Sequence, residues 1–362
     1  MSESERVTHA VTLFIFIPRA HLLTMRFKLV FLLVLGAQNL HAQGTMRVDT
    51  IPAASLANNL YGDPSWRAAA IYLPPGYAAS PERRYPVVYL LHGFGGGYEP
   101  FLRRIAFQKP LDSLIARGAL TEMIVVIPDA NNRLTGAFAR NSPVTGNWED
   151  FIAQELVAYI DAHYRTIRSR KARGIAGWSM GGYGALYMGA RHSGTFSAVY
   201  ALSACCLMAD LPADSLWRIR GREGLKAESS GKLTTNFNAN IVTALGAIYS
   251  PAPARSPLFV RFPWQGTSAL VVDSIASLWR DTPLEIIRRS SPRVLRTVKW
   301  AFDAGDRDAF PDIPRAGAEL HRILNGKGVG HTFEIFSGTH GDRIRERVET
   351  RLLPFFSRAF RK

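Results

Sequence analysis

The six residues Gly177-Trp178-Ser179-Met180-Gly181-Gly182 constrain this chain more than any other stretch. They have the form G-x-S-x-G, which sets a serine on a sharp turn between a strand and a helix. Gly174-Ile175-Ala176 reads as the end of a short buried strand just before it. Tyr183 to Arg191 reads as the helix after it, with small residues where it must pack close to a sheet. Glycines two before and two after the serine let the backbone double back without a side-chain clash. A serine hydroxyl is a poor nucleophile at neutral pH, so such a turn serves chemistry only with a base and oxyanion donors nearby. A bare G-x-S-x-G is short enough to arise by chance, and the flanking strand and helix carry the inference.

A glycine-rich loop is the second informative stretch. Tyr85 to Leu91 is a nearly unbroken apolar run, as expected of a strand covered on both faces, and it ends in His92-Gly93-Phe94-Gly95-Gly96-Gly97. A loop of this type after an early strand supplies one oxyanion N–H, and the residue after the nucleophile supplies another; the candidates are the amides of Phe94 and Met180. The lysine and Ser/Thr of a Walker phosphate loop are missing, and Gly93-x-Gly95-x-x-Tyr98 breaks a dinucleotide fingerprint, so no nucleotide cofactor is implied.

The rest of the chain alternates. Trp66–Tyr72, Met123–Pro128, Phe196–Ser203, Arg296–Phe302 and His331–Phe336 read as strands. Residues 109–118, 148–164 and 314–326 read as helices, and Asp342 to Phe360 is amphipathic. This predicts an α/β fold with a mostly parallel central sheet and helices on both faces. Residues 204–294 break the rhythm with short helical patches and Trp217, Trp264 and Trp279, and read as an inserted cap region at the strand ends.

Of nine histidines, His9, His21 and His41 lie in the leader, His92 belongs to the glycine loop, His163 and His321 sit on helical patterns, His192 follows a helix and His331 opens a strand. His340 lies in the loop just beyond the final strand, where the chain order serine, acid, histidine puts the base. The acid belongs in the loop after the preceding strand. Asp303 falls at the strand end, where structural hydrogen bonds are expected, and Asp306 and Asp308 share the turn.

Composition narrows the remaining classes. Over 362 residues, 47% are hydrophobic and 20% charged, which is ample core for one large domain. Cys205 and Cys206 are adjacent, so neither a disulfide framework nor a metal pair is implied. The net charge of +15 is spread along the chain without a nucleic-acid motif, which argues for solubility or a loose affinity for anionic surfaces and against nucleic-acid binding. Met25-Arg26-Phe27-Lys28, the apolar run Leu29–Leu35 and a small, polar end at Ala42 form the pattern of a secretory signal peptide. The expectation is a start at Met25, cleavage after Ala42, residues 1–24 as an extension, and a secreted or periplasmic chain over 43–362. The apolar run is far below the ~20 residues that span a bilayer, so the mature chain is expected to carry no integral membrane span.

These motifs resemble the esterase D-like branch of the α/β-hydrolases, which includes S-formylglutathione hydrolases, feruloyl and acetyl-xylan esterases, enterobactin-type esterases and mycolyltransferases. The likeness covers roughly residues 50–205 and 296–358. It is strongest in Tyr72-Leu73-Pro74-Pro75-Gly76-Tyr77, Leu91 to Gly96, Gly177 to Gly182 and the Asp303–Asp308 turn. It implies an α/β-hydrolase fold and a serine carboxylic-ester hydrolase that forms an acyl-enzyme without cofactor or metal. Members often carry a D-x-G-x-x-D element whose second aspartate is the acid, which falls on Asp308. The nucleophile falls on Ser179, the base on His340 and the oxyanion amides on Phe94 and Met180. Asn141 to Asp150 looks like secreted bacterial members. The implied substrate is a small-molecule or carbohydrate ester, such as a sugar or aromatic-acid ester. Interception of the same acyl-enzyme by a sugar hydroxyl would make the chain an acyltransferase of the mycolyltransferase type. Trp178 stands where histidine is common, the cysteine usual in formylglutathione hydrolases is not recognisable, and the cap matches no member.

Overall fold

The computed structural model describes residues 43–361. The expected leader, with its start at Met25 and cleavage after Ala42, lies outside the described residues.

An eight-stranded sheet forms the centre. Its strands are β1 (Thr45–Pro52), β2 (Trp66–Leu73), β3 (Val87–Leu91), β4 (Ile124–Pro128), β5 (Arg173–Trp178), β6 (Ala198–Leu202), β7 (Lys299–Gly305) and β8 (His331–Phe336). They lie in the order β1-β2-β4-β3-β5-β6-β7-β8. Only β2 runs against its neighbours; from β4 to β8 every pairing is parallel.

The apolar runs have their expected cause. In β3, Tyr89 and Leu91 enter one hydrophobic core and Val88 and Leu90 the other, so consecutive side chains are buried on opposite faces. Across the sheet Tyr89, Ile175, Val199 and Trp300 form one row on the first face. That face is covered by α3 (Leu156–His163), α4 (Met180–Arg191) and α8 (Asp312–Gly326), through Leu156, Leu186 and Leu320 among others. The second face is covered by α1 (Tyr98–Ile105), α2 (Gln108–Ala116) and α9 (Leu353–Phe360), through Phe101, Leu111 and Phe356. Among the described residues no helix is long and apolar enough to cross a membrane.

Residues 204–294 hold longer elements than the sequence pattern suggests. Two helices, α5 (Ser215–Ser230) and α6 (Phe237–Tyr249), pack on each other, and α7 (Pro283–Arg289) follows a short hairpin of Trp264–Gln265 with Leu270–Val271. The pattern was obscured by Gly221 and Gly224 inside α5, where glycine weakens helix propensity. A Cβ at Gly221 would sit 2.5 Å from the Trp264 ring, and one at Gly224 would sit 2.7 Å from Val242. The glycines therefore trade propensity for close packing.

Register aligns the sheet's chemistry. Leu91, Gly177, Ala201 and Phe302 stand in one row, so the loops after β3, β5, β6 and β7 leave the sheet along one edge. The glycine loop, Ser179, residues 203–206 and the aspartate turn are thereby neighbours.

Candidate active site

Ser179 occupies the tip of the turn between β5 and α4 with φ 57° and ψ −114°. A non-glycine residue in such a conformation costs on the order of 1–3 kcal/mol and persists only where the surroundings hold it. The surroundings do so through the backbone. Ser179 N–H donates to Leu202 O at 2.9 Å, and Ser179 O accepts from Tyr183 N–H at 2.9 Å. Gly177 passes against the backbone of Gly181, which in turn lies against the carbonyl of Leu91, so any Cβ at either glycine would collide with main chain.

The structure brings Ser179, His340 and Asp308 together. The Ser179 hydroxyl donates to His340 Nε2 at 2.9 Å, and His340 Nδ1–H donates to Asp308 Oδ2 at 2.8 Å. With its proton on Nδ1, the imidazole presents a lone pair to the serine. The Asp308 side chain is fully buried, and its other oxygen accepts from Phe310 N–H at 2.9 Å. The Phe310 ring lies 4.9 Å from the imidazole at 63°. A hydroxyl paired with an imidazole whose far nitrogen is held by a buried carboxylate has the geometry that nucleophilic catalysis requires.

The other two aspartates do different work. Asp303 lies within β7, because the strand continues to Gly305; its carboxylate accepts from Tyr200 at 2.8 Å and from buried Arg347 at 2.7 Å. Asp306 accepts from Gly338 N–H at 2.9 Å, which ties the aspartate turn to the loop that carries His340.

On the opposite side, buried His92 anchors the glycine loop. Ala130 N–H donates to its Nε2 at 2.8 Å, and its Nδ1 lies 2.8 Å from Gly93 O. Gly95 N–H donates to Thr135 O at 2.9 Å, which fixes the far side of Phe94. Met180 opens α4, and the first N–H of a helix has no intrahelical acceptor. The side chains of Phe94 and Met180 both close on Gly136: a Cβ there would lie 2.5 Å from the Phe94 ring and 2.7 Å from Met180 Sδ. The side chains of the two candidate oxyanion residues thus meet at Gly136.

The family described as "Putative esterase" matches residues 65–341, which include every residue of this arrangement. The chain belongs to that esterase family. An esterase of Mycobacterium tuberculosis (strain ATCC 25618 / H37Rv) is 35% identical over 133 residues, covering 35% of this chain and 27% of the relative. An endo-1,4-beta-xylanase/feruloyl esterase of Xylanibacter ruminicola is 34% identical over 122 residues, 32% of this chain and 16% of the relative. The matches thus span about a quarter or less of those relatives' length. Among solved structures, a ferulic acid esterase superposes with a TM-score of 0.64 at 27% identity, covering 88% of this chain and 100% of that one. An S-formylglutathione hydrolase from Agrobacterium tumefaciens shares the fold at 17% identity and a TM-score of 0.58, over 90% and 99% of the two chains. The α/β-hydrolase fold expected from the motifs is the fold observed.

Several residues of this site escaped the sequence. Gly136 lies in a polar loop and gives no local signal; its partners are 42 and 44 residues away. Phe310 follows Asp308 by two residues, yet only the fold shows its ring on His340. From the 204–294 insertion, Phe237 meets Phe94 edge to face at 5.6 Å, and Arg220 lies 4.6 Å above the Phe310 ring. The insertion therefore touches both the glycine loop and the aspartate turn.

Proposed function

We propose that the protein is a serine carboxylic-ester hydrolase that works through an acyl-enzyme at Ser179. His340 Nε2 takes the proton as Ser179 Oγ attacks the ester carbonyl. Asp308 holds the imidazole's tautomer and stabilises the imidazolium. The amides of Phe94 and Met180 donate to the tetrahedral oxyanion. The imidazolium returns its proton to the departing alcohol, and water, activated by the same base, releases the acid. The observation that carries this reading is the continuous relay of 2.9 Å and 2.8 Å from serine to histidine to buried aspartate.

The substrate we infer is an ester of an aromatic acid or of a sugar. The feruloyl and ferulic acid esterase names among the relatives support it, as does the aromatic wall of Phe94, Phe138 and Phe237 beside the glycine loop. Residues 204–294 act as a cap on that wall. The leader reading makes the enzyme secreted or periplasmic, with the mature chain starting at Gln43.

The test is release of ferulate from methyl ferulate and of p-nitrophenol from its acetate, by wild type and Ser179→Ala. Replacement of Ser179 should remove nearly all turnover and all labelling by a fluorophosphonate probe. Retained turnover in Ser179→Ala would refute the assignment. Added sugars separate hydrolysis from the acyltransferase alternative: new sugar esters formed at the expense of free acid would favour transfer.

A further inference from the structure

Trp178 immediately precedes Ser179, and its side chain reaches the loop that carries the base. Its indole Nε1–H donates to His340 O at 2.9 Å, and the indole and imidazole rings lie 5.2 Å apart at 37°. The indole is itself held. Phe101 of α1 lies parallel to it at 6.2 Å, the Arg104 guanidinium sits 4.9 Å over its ring, and Gly93 of the glycine loop backs against it so closely that a Cβ would stand 2.7 Å from the ring. Arg104 continues past the indole to Gly341 O at 3.3 Å. A Cβ at Gly341 would meet Arg104 at 2.7 Å and Trp178 at 3.1 Å. The loop therefore seats its backbone directly on this stack.

His340 has two ties from its side chain, to Ser179 and to Asp308, and both lie at the reacting end of the residue. Its main chain needs a separate hold, because a loop position otherwise follows the motion of the loop. Among the described residues the indole supplies a direct hydrogen bond to the His340 carbonyl, from the residue covalently joined to the nucleophile.

We propose that Trp178 is a positioning residue: it latches the base loop to the nucleophile turn, with Arg104 as a second, weaker tie, so that Ser179 and His340 move as one unit. This rests on the acyl-enzyme reading of Ser179. Pre-set geometry between a nucleophile and its base is where small displacements cost most, and an error near 1 Å costs about a hundredfold in rate. A latch of this kind acts on the chemical step, so its loss lowers kcat and leaves KM unchanged.

Trp178→Phe tests it by keeping a ring against Phe101 and deleting the N–H. The expected result is a fall of about 10- to 100-fold in kcat for p-nitrophenyl acetate, KM within about twofold of wild type, and an equal slowing of fluorophosphonate labelling at Ser179. Arg104→Met, on the exposed side of the stack, should lower kcat by about threefold with unchanged KM, and it keeps the question open to experiment should Trp178→Phe fold poorly. A wild-type kcat in Trp178→Phe, or a raised KM with kcat intact in either variant, overturns the latch. Ser179→Ala assayed in parallel separates the two readings: full activity there overturns the acyl-enzyme assignment, whereas an inert Ser179→Ala with a fully active Trp178→Phe overturns the latch alone.

Discussion

At the scale of single residues, the acid is the position where the alternatives were closest. Asp306 and Asp308 are two residues apart in one turn, and no periodicity separates them. The structure gives them opposite surroundings: the Asp308 side chain is fully buried against His340, and Asp306 is exposed and bonds the main chain of Gly338. Asp308→Asn should keep the shape of the turn but favour the wrong imidazole tautomer, lowering kcat by on the order of 10⁴, the size known for such a change in a serine protease. Asp306→Asn keeps an acceptor oxygen for Gly338 and should stay within a few-fold of wild type. Steady-state rates on p-nitrophenyl acetate decide between them, and equal losses in the two variants would contradict the assignment. Ser179 and His340 were legible because each is marked by its neighbours in sequence, a G-x-S-x-G turn and a loop after the last strand. Asp308 needed the family resemblance. Gly136 and Phe310 were illegible because their role lies in what packs on them, and packing partners come from distant segments.

At the scale of elements, buried strands and their helices were legible from runs and periods, and what they lean on was not. Glu149 shows why. It lies in the first turn of the helical segment leading into α3, and its carboxylate accepts from His192 Nε2–H at 2.7 Å and Tyr187 at 2.6 Å, joining that helix to the end of α4. Burial works against the charge, but the hydrogen bonds from His192 and Tyr187 win and hold the carboxyl at about 2. The folded-state value is depressed below the ordinary glutamate value near ~4.3, so the folded state binds this proton less readily than the unfolded chain. The stabilisation is complete above that ordinary value and is lost as pH falls through it towards 2. Glu149→Gln should therefore lower the urea midpoint at pH 6 and flatten its decline between pH 4.5 and pH 2.5. A parallel downward shift at every pH would mean that the carboxylate's charge is not what counts. The same reasoning explains the insertion: α5 was obscured because its glycines answer to Trp264 and Val242, which the local pattern does not contain.

At the scale of the whole molecule, the sheet separates stability from chemistry along its own strands. The site collects where β3, β5, β6 and β7 end, whereas the last helix packs near where β5 begins. Phe356 of α9 is fully buried and its ring presses on Gly174, where a Cβ would collide with it. Gly174 and Ser179 are five positions apart, about 16 Å along an extended strand. Phe356→Ala opens a cavity in the second core and should cost about 3–5 kcal/mol of folding free energy, read from denaturant midpoints. The rows that align Leu91, Gly177, Ala201 and Phe302 are held by backbone pairing and by the opposite core, so the folded fraction should keep its kcat within about twofold. A loss of kcat in proportion to the loss of stability would mean that the second core sets the register of the catalytic edge, and that the two ends of this sheet are coupled through β5.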